Sequence, residues 1–147
     1  MIQINKKSPE HLPSENELQS YIAFLYQHLE QYGDEKVDIE KALNYALAKE
    51  DKPGGFILIA KKSTDAIAGI VVILDTKMDG FIPEHILVYI ATDQLLRGQG
   101  IGKRLMEEAI KQTSGSIALH VEAQNPAKKL YEKLGFENKY LEMRLKK

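Results

Sequence analysis

Cysteine is absent from the 147 residues of the chain. A disulfide, a thiolate metal site and a cysteine acyl-enzyme are therefore all excluded. Long hydrophobic runs are missing too, because the longest, residues 66–74, is too short to cross a bilayer. The first ten residues, MIQINKKSPE, lack the apolar core of a secretion signal. We therefore predict a cytoplasmic location.

Neither sign of charge is in excess, since 20 basic residues face 21 acidic ones for a formal net charge of -1. This balance gives no general attraction to nucleic acid or to a membrane surface, and we predict neither as a partner. The composition, 44% hydrophobic and 28% charged, is typical of a globular protein. A chain of this length can bury about two-thirds of its unfolded surface. We expect one domain over residues 1–147.

Apolar periodicity predicts the secondary structure. A capping box of Ser14 and Glu17 begins the first helix, and Asp38 is the expected N-cap of the second. Asn125 as N-cap and Pro126 in the first turn begin the last helix. The predicted strands are residues 1–6, 56–61, 67–76, 85–92, 116–123 and 136–145, and the predicted helices are 15–32, 38 to about 50, 101–112 and 126–134.

The predicted order of elements, β-α-α-β-β-β-α-β-α-β, indicates an α/β (α+β) fold with a mixed, mostly antiparallel central sheet. Strands 56–61 and 67–76 form a hairpin and are apolar on both faces. Such strands require helices on both faces of the sheet. Gly69 within the second of these strands indicates a bulge or a close backbone approach.

The most informative stretch is the turn between strand 85–92 and helix 101–112, with the sequence Arg97-Gly98-Gln99-Gly100-Ile101-Gly102. Its three glycines allow positive φ and a close approach of the backbone to a ligand. The first N–H groups of the helix that follows have no intrahelical partner, and the helix dipole adds partial positive charge there. Lys103 adds a formal positive charge, so the turn is predicted to bind an anion.

Three kinds of anion-binding loop could explain this turn. A P-loop is rejected because Arg97 replaces its first glycine and Arg104 its magnesium-binding hydroxyl. A dinucleotide fingerprint fits poorly, because its third glycine comes one residue early, at Gly102. The pattern Gln/Arg-x-x-Gly-x-Gly fits, through Arg97, Gly100 and Gly102. A glycine-rich turn without any ligand is the alternative.

A second pattern, Asn125-Pro126-Ala127-Lys128-Lys129-Leu130-Tyr131-Glu132-Lys133-Leu134-Gly135-Phe136, follows further along the chain. With the glycine turn before it, the chain resembles the GCN5-related N-acetyltransferase (GNAT) family from the first hairpin to its C-terminus. The resemblance implies the acyl-CoA acyltransferase fold, in which two parallel strands splay apart around an acyl-CoA donor. Here those strands would be 85–92 and 116–123.

The same resemblance implies the positions of the cofactor contacts. Main-chain groups of the central strand would pair with the pantetheine amides, and main-chain N–H groups of the turn would hold the diphosphate. Asn125 would bond the pantetheine arm, Lys128 would meet a nucleotide phosphate, and Tyr131 would lie beside the sulfur. The implied main-chain contacts are Ile90, Ala91 and Thr92 for pantetheine, and Arg97, Gly98, Gln99, Gly100, Ile101, Gly102 and Lys103 for diphosphate.

Amine acetylation needs a deprotonated amine and a stabilised thiolate. Exposing the lone pair of an alkylamine at pH 7 costs about 4 to 5 kcal/mol. By position in the family, Tyr131 is the candidate general acid for the CoA thiolate, although its spacing also fits the apolar stripe of its helix. Glu84 is the candidate base, and a solvated carboxylate is the alternative. The other candidates are His85, His120, Glu122 and a chain of waters.

These observations together predict an acetyl-CoA-dependent N-acetyltransferase, in which a primary amine attacks the thioester directly in a ternary complex. The acceptor would be a small-molecule or peptide amine, and a homodimer is expected only by family analogy. No metal is predicted, because the four histidines are scattered. The alternative is a non-catalytic acyl-CoA-binding or sensing module on the same fold, and a scaffold without a ligand is the third hypothesis.

Overall fold

The computed structural model describes all residues from 1 to 147 and contains one five-stranded sheet. The strands lie in chain order, antiparallel from the first to the fourth, and the fourth and fifth are parallel. The elements are β1 (Gln3–Lys7), α1 (Glu15–His28), α2 (Lys36–Ala46), β2 (Gly55–Lys61), β3 (Ile67–Asp75), β4 (His85–Thr92), α3 (Ile101–Gln112), β5 (Ile117–Leu119) and α4 (Ala127–Lys133).

Helices cover both faces of the sheet, as the apolar strands predicted. On one face, α1 and α2 pack against alternate residues of β2 such as Ile57 and Ile59. On the other face, α3 and α4 pack against the intervening residues, which include Leu58. Because β2 and β3 are buried on both sides, almost every position of these strands carries an apolar side chain. The mixed, mostly antiparallel sheet is therefore confirmed.

The first two helices differ from the prediction at their ends. The capping box is present, since the Glu17 N–H donates to Ser14 Oγ at 3.1 Å and the Ser14 N–H donates to Glu17 Oε1 at 2.8 Å. However, α1 ends at His28, because Glu30 takes a left-handed conformation with φ of 55° and starts a short 3-10 turn. Helix α2 begins at Lys36, so Asp38 is not its N-cap but lies in its first turn, where a carboxylate favours the positive end of the dipole.

The end of the chain departs most from the prediction. Strand β5 has only three residues, Ile117–Leu119, instead of residues 116–123. The strand predicted over residues 136–145 is absent, and Leu141, Met143 and Leu145 are 84%, 90% and 83% exposed. Alternation defines an apolar face, but a strand also needs a neighbouring edge to pair with. The three residues of β5 give this segment no partner.

Two features of β4 bend the strand and leave part of its edge open. Its register against β3 shifts between Val72 and Ile73, which leaves Val88 as an extra residue in β4 and bends the strand locally. Its pairing with β5 stops at Leu87 and Leu119. Beyond that pair, residues 88–92 of β4 have no partner strand on the β5 side, so the two parallel strands splay apart as the fold class predicted.

Glycine at position 69 lets α3 approach the sheet. A Cβ atom there would lie 2.8 Å from Leu105 Cδ1 and 3.1 Å from Ile101 Cγ2. The register of β3 against β2 shifts beside Gly69, between Ala60 and Lys61, so the predicted bulge is present. The element that packs closely on Gly69 is α3, through its side chains. This packing fixes the N-terminus of α3 close to the end of β4.

Candidate active site

The candidate site begins at the open edge of β4. Ile90, Ala91 and Thr92 lie in the part of the strand that pairs only with β3. An unpaired strand edge presents a row of N–H and C=O groups that another extended chain can pair with. The splayed strands therefore offer the kind of edge that an amide-containing arm can bind as an added strand.

The glycine turn continues directly from this edge. Gly98 and Gly100 have φ of 87° and 78°, and a Cβ atom on either would meet no atom within 4 Å. Open space therefore lies on the inner side of the turn. Gly102 differs from the prediction, because it is helical in α3, where a Cβ would lie 3.6 Å from Leu130 and 3.7 Å from Thr92. A Cβ at this position would make only ordinary van der Waals contacts, so neither a left-handed turn nor a steric clash requires glycine at 102.

The main-chain donors of this turn are all free. None of the seven N–H groups from Arg97 to Lys103 donates a hydrogen bond to the protein, and the first helical bond runs from the Arg104 N–H to the Gly100 carbonyl. Unpaired N–H groups at a helix N-terminus favour a negatively charged ligand. Lys103 is exposed in the first turn of the helix. The turn therefore fits a diphosphate.

The side chain of Arg97 points to the protein instead of the turn. Its Nη2 lies 2.7 Å from Glu30 Oε1 and donates to the His28 carbonyl at 3.3 Å. His28 Nδ1 accepts a hydrogen bond from the Gln94 N–H at 3.3 Å. These contacts fasten the start of the turn to the end of α1 and leave the main-chain N–H of Arg97 free for a ligand.

His28 and Glu30 are residues that sequence reasoning missed. His28 is only 9% exposed and packs against Phe24, with 4.4 Å between the ring centroids. Its spacing of three residues from Leu25 places it on the buried face of α1 and could have indicated this burial. No local signal could have identified Glu30, because its partner Arg97 is distant in the sequence.

Tyr131 lies on the inner face of α4 and is 7% exposed. Its ring packs at a tilt against Phe136, with 5.9 Å between ring centroids. Burial raises the pKa of the Tyr131 hydroxyl to about 12, and this hydroxyl makes no hydrogen bond to the protein. A buried tyrosine hydroxyl usually has a partner, so Tyr131 offers a protonated, unused donor.

Asn125 and Lys128 both have structural contacts at α4. The Ala127 N–H donates to Asn125 Oδ1 at 2.9 Å, and the asparagine keeps its amide nitrogen free. The N-cap of α4 is Pro126, so the prediction that Asn125 is the N-cap was wrong by one residue. Lys128 Nζ lies 2.8 Å from Glu132 Oε2, one turn further along. This pair is partly exposed, and a phosphate could displace the carboxylate at little cost.

The candidate bases differ in the hydrogen bonds that their side chains make. Glu84 Oε1 accepts from the Ser116 N–H at 2.8 Å, and this bond holds the pKa of the carboxyl below its usual value. His85 lies 2.8 Å from both Asp75 Oδ1 and the Ser114 carbonyl. Both ring nitrogens of His85 are therefore already in contact with oxygens of the protein. The remaining candidates, His120 and Glu122, are exposed beyond β5.

A cleft of about 590 Å³ adjoins the braced end of the turn. It lies between α1 and α2 and is lined by Tyr26, Glu30 and Asp34, with further carboxylates from α2 and the residues before it. The Tyr89 hydroxyl of β4 donates to Asp34 Oδ2 at 2.5 Å. Burial, and then this bond, raise the pKa of Tyr89. Tyr26 is the one aromatic residue of its lining.

The structure contains no group of three or more histidine or acidic residues placed to hold a metal ion. No helix is both long and apolar enough to cross a membrane. The site therefore consists of main-chain donors, one buried phenol and the surrounding carboxylates.

Solved structures share this fold over almost their whole length. A GNAT-family acetyltransferase from Streptococcus pneumoniae has a TM-score of 0.70 at 22% identity, covering 100% of this chain and 98% of its own. An acetyltransferase assigned provisionally in Pyrococcus furiosus has 0.68 at 20%, covering 98% and 99%. The ribosomal-protein-alanine N-acetyltransferase of Brucella melitensis has 0.67 at 16%, covering 99% of both chains. At these identities the likeness shows the fold alone.

Family membership rests on the sequence. No curated protein sequence matches the chain significantly. The family model described as the acetyltransferase (GNAT) domain matches residues 53–138, which include β2 to α4 and every residue of the glycine turn. Because this match covers more than half of the sequence, the chain belongs to the GNAT acetyltransferase family, whose members use acetyl-CoA as the acetyl donor.

Proposed function

We propose that this protein is an N-acetyltransferase that moves the acetyl group of acetyl-CoA to a primary amine, with residues 1–147 forming one catalytic domain. The observation that carries the proposal is the run of seven unpaired N–H groups from Arg97 to Lys103, next to the open edge of β4. A diphosphate would satisfy these donors, and an extended amide arm would satisfy the edge.

The proposed cofactor contacts follow from this arrangement. The diphosphate accepts from main-chain N–H groups between Arg97 and Lys103, and the Lys103 ammonium adds charge. The pantetheine amides pair with the main chain of Ile90, Ala91 and Thr92. The free amide nitrogen of Asn125 bonds the arm from the α4 side, and Lys128 meets a phosphate.

Tyr131 is proposed as the general acid. The amine nitrogen attacks the thioester carbon, the carbon–sulfur bond breaks, and the sulfur takes the proton of the Tyr131 hydroxyl. A pKa of about 12 keeps this hydroxyl protonated at neutral pH. Since a thiolate has a pKa of about 8.5, donation of a hydrogen bond in the transition state is the larger part of the contribution. The phenolate regains its proton from the amine through water.

Glu84 is proposed as the carboxylate on the acceptor side. Its lowered pKa keeps it ionised at neutral pH, so it attracts a protonated amine. The same lowered pKa makes it a weak base, and the amine proton therefore leaves through water with Glu84 stabilising the positive charge. Glu84→Gln should raise the KM for the amine more than it lowers kcat.

The direct test is to incubate the protein with acetyl-CoA and a panel of amines and to measure free thiol. We expect thiol release that depends on an amine and that falls about 100-fold or more in kcat for Tyr131→Phe. The affinity for CoA should not change, since the hydroxyl acts at the sulfur. Tyr140→Phe is the matched control, because Tyr140 is 80% exposed and should retain full activity.

Two results would contradict the proposal. Binding of acetyl-CoA without thiol release on any amine would favour a non-catalytic acyl-CoA-binding module on the same fold. No binding of CoA at all, measured by calorimetry, would show that the seven N–H groups do not form a diphosphate site.

A further inference from the structure

A second cleft, of about 410 Å³, lies at the opposite edge of the sheet from the candidate active site. It is formed by β1, the start of α1 and the end of β2, and it includes Lys7, Tyr21 and Lys61. Strands β2 and β3 separate β1 from β4 in the sheet. Whatever occupies this cleft would therefore contact none of the residues proposed for acetyl transfer.

Tyr21 gives the cleft an unused donor. The residue is only 1% exposed, yet it lines the cleft. Burial, followed by the charges of Glu17 and Asp65, raises the pKa of its hydroxyl to about 12. This hydroxyl makes no hydrogen bond to the protein, and it is not fully enclosed, because Asn44 Oδ1 is the only fully buried side-chain polar atom without a partner. Since Tyr21 lines the cleft, its hydroxyl is available to a bound molecule.

Two lysines line the same cleft with most of their length buried. The side chains of Lys7 and Lys61 are 15% and 17% exposed, although lysine is rarely buried to this extent. Lys7 lies 3.7 Å from Glu17, and Lys61 lies 3.3 Å from Asp65. Each ammonium has three N–H donors, so a lysine that makes one ion pair still has donors for a ligand.

The charge of the cleft is positive. Its lining contains three lysines and one carboxylate, that of Glu17. This carboxylate is already committed, because its Oε1 accepts from the Ser14 N–H in the capping box, and that bond is the largest cause of its lowered pKa. A ligand in the cleft thus meets ammonium and hydroxyl donors more than acceptors.

We propose that this cleft binds a small anion with a carboxylate or phosphate group, held by the ammonium groups of Lys7 and Lys61 and by the Tyr21 hydroxyl. The volume suits an inorganic phosphate or a short dicarboxylate. The site needs neither acetyl-CoA nor an amine, and it stands or falls independently of the acetyltransferase activity.

The test is an NMR titration of ¹⁵N-labelled protein, with inorganic phosphate and with succinate in separate arms at constant ionic strength. CoA is present throughout, so that the glycine turn is filled. We expect saturable shifts of the amide signals of Asn5, Lys7 and Tyr21 in at least one arm. The arm that saturates at the lower concentration identifies which anion chemistry the cleft selects.

Two variants make the assignment specific. Tyr21→Phe removes only the hydroxyl and should weaken binding about threefold to tenfold. Lys61→Gln removes a charged donor and should weaken it about tenfold or more. Lys41→Gln is the matched control, because the Lys41 side chain is 76% exposed on α2, and it should bind the anion normally. Thermal unfolding of each variant checks that it is folded.

Shifts that do not saturate, or that spread over exposed lysines in proportion to salt, would overturn the proposal. So would shifts confined to residues 97–103, which would place the anion at the N-terminus of α3. An unchanged affinity in both Tyr21→Phe and Lys61→Gln would likewise show that the cleft is not the site.

Discussion

The segment from β4 to α3 and the segment after α3 use their apolar residues in opposite ways. In α3, Leu105, Met106 and Ala109 are fully buried against the sheet. After α4, Leu141 and Met143 alternate just as regularly but are 84% and 90% exposed. Both segments carry an apolar pattern, and only the first has a surface to pack against. An apolar pattern in the sequence therefore defines an apolar face, but that face is buried only where a neighbouring element packs against it.

The partner of α3 is built into the sheet. Gly69 removes the one side chain that would hold the helix away from β3, where Leu105 makes its closest contact. For the C-terminal residues the corresponding partner would be the edge of β5, which has only three residues. An isolated pairing of that length contributes little stability. The first segment therefore provides a ligand-binding turn held by a packed helix, and the second contributes the short strand β5 and α4.

The largest expected effect is the loss of CoA binding when the glycine turn of the first segment is changed. Gly100→Glu places bulk and negative charge in the open space beside the seven free N–H groups, and we expect CoA binding to become undetectable by calorimetry. Gly80→Glu is the matched control. Gly80 has φ of 72° against 78° for Gly100, and both are open on the Cβ side, so the backbone strain is the same. Normal CoA binding by Gly100→Glu would show that the turn does not hold the diphosphate.

The next effect compares the two apolar patterns directly. Leu105→Ala should lower the free energy of unfolding by about 2–5 kcal/mol, because it leaves a cavity between α3 and β3. Leu141→Ala should change it by less than about 0.5 kcal/mol, since the side chain is exposed. Urea denaturation measures both. A loss above about 1.5 kcal/mol for Leu141→Ala would mean that the C-terminal segment is packed in solution and that the contrast between the segments is wrong.

The same contrast explains which elements could be predicted from the sequence and which could not. Strand β4 and helix α3 were predicted with their observed bounds, because alternation, the glycine turn and helical spacing all act within a few residues. The strand expected over residues 136–145 was wrong, because no local signal reports the length of a neighbouring edge. The early end of α1 was missed for a related reason, since the left-handed conformation of Glu30 belongs to a residue whose ion pair is distant in sequence.

Some parts of the candidate site could likewise be predicted from the sequence, and others could not. The turn and Tyr131 could be predicted because motifs of fixed spacing contain them. The bracing of Arg97 by Glu30 and His28 could not, because it joins elements more than 60 residues apart. The lowered pKa of Glu84 could not be predicted either, since it depends on an N–H group of the residue before β5.

A third prediction concerns α4, the helix of the second segment. If Tyr131 is the acid, it must be protonated, and its activity is lost only as pH rises through its pKa of about 12. Glu84 is ionised well below neutral pH, because its pKa is lowered. The value of kcat/KM for an alkylamine should then rise about tenfold per unit from pH 7 to 9 as the amine loses its proton, with no fall before pH 10. A falling limb centred near pH 8 would contradict this assignment.

The smallest expected effect tests whether the glycine turn binds CoA without the support of the ion pair between Arg97 and Glu30. Glu30→Gln removes the charge that holds Arg97, and we expect CoA to bind about twofold to fivefold more weakly, because a partly exposed ion pair contributes roughly 0.2–1 kcal/mol. Glu35→Gln is the control, since Glu35 lines the same cleft without contacting the turn. The double variant Glu30→Gln/Arg97→Gln should bind CoA no more weakly than Arg97→Gln alone, because the two side chains act as one brace. If Arg97→Gln instead costs far more affinity than Glu30→Gln, then Arg97 leaves Glu30 and contacts the diphosphate itself.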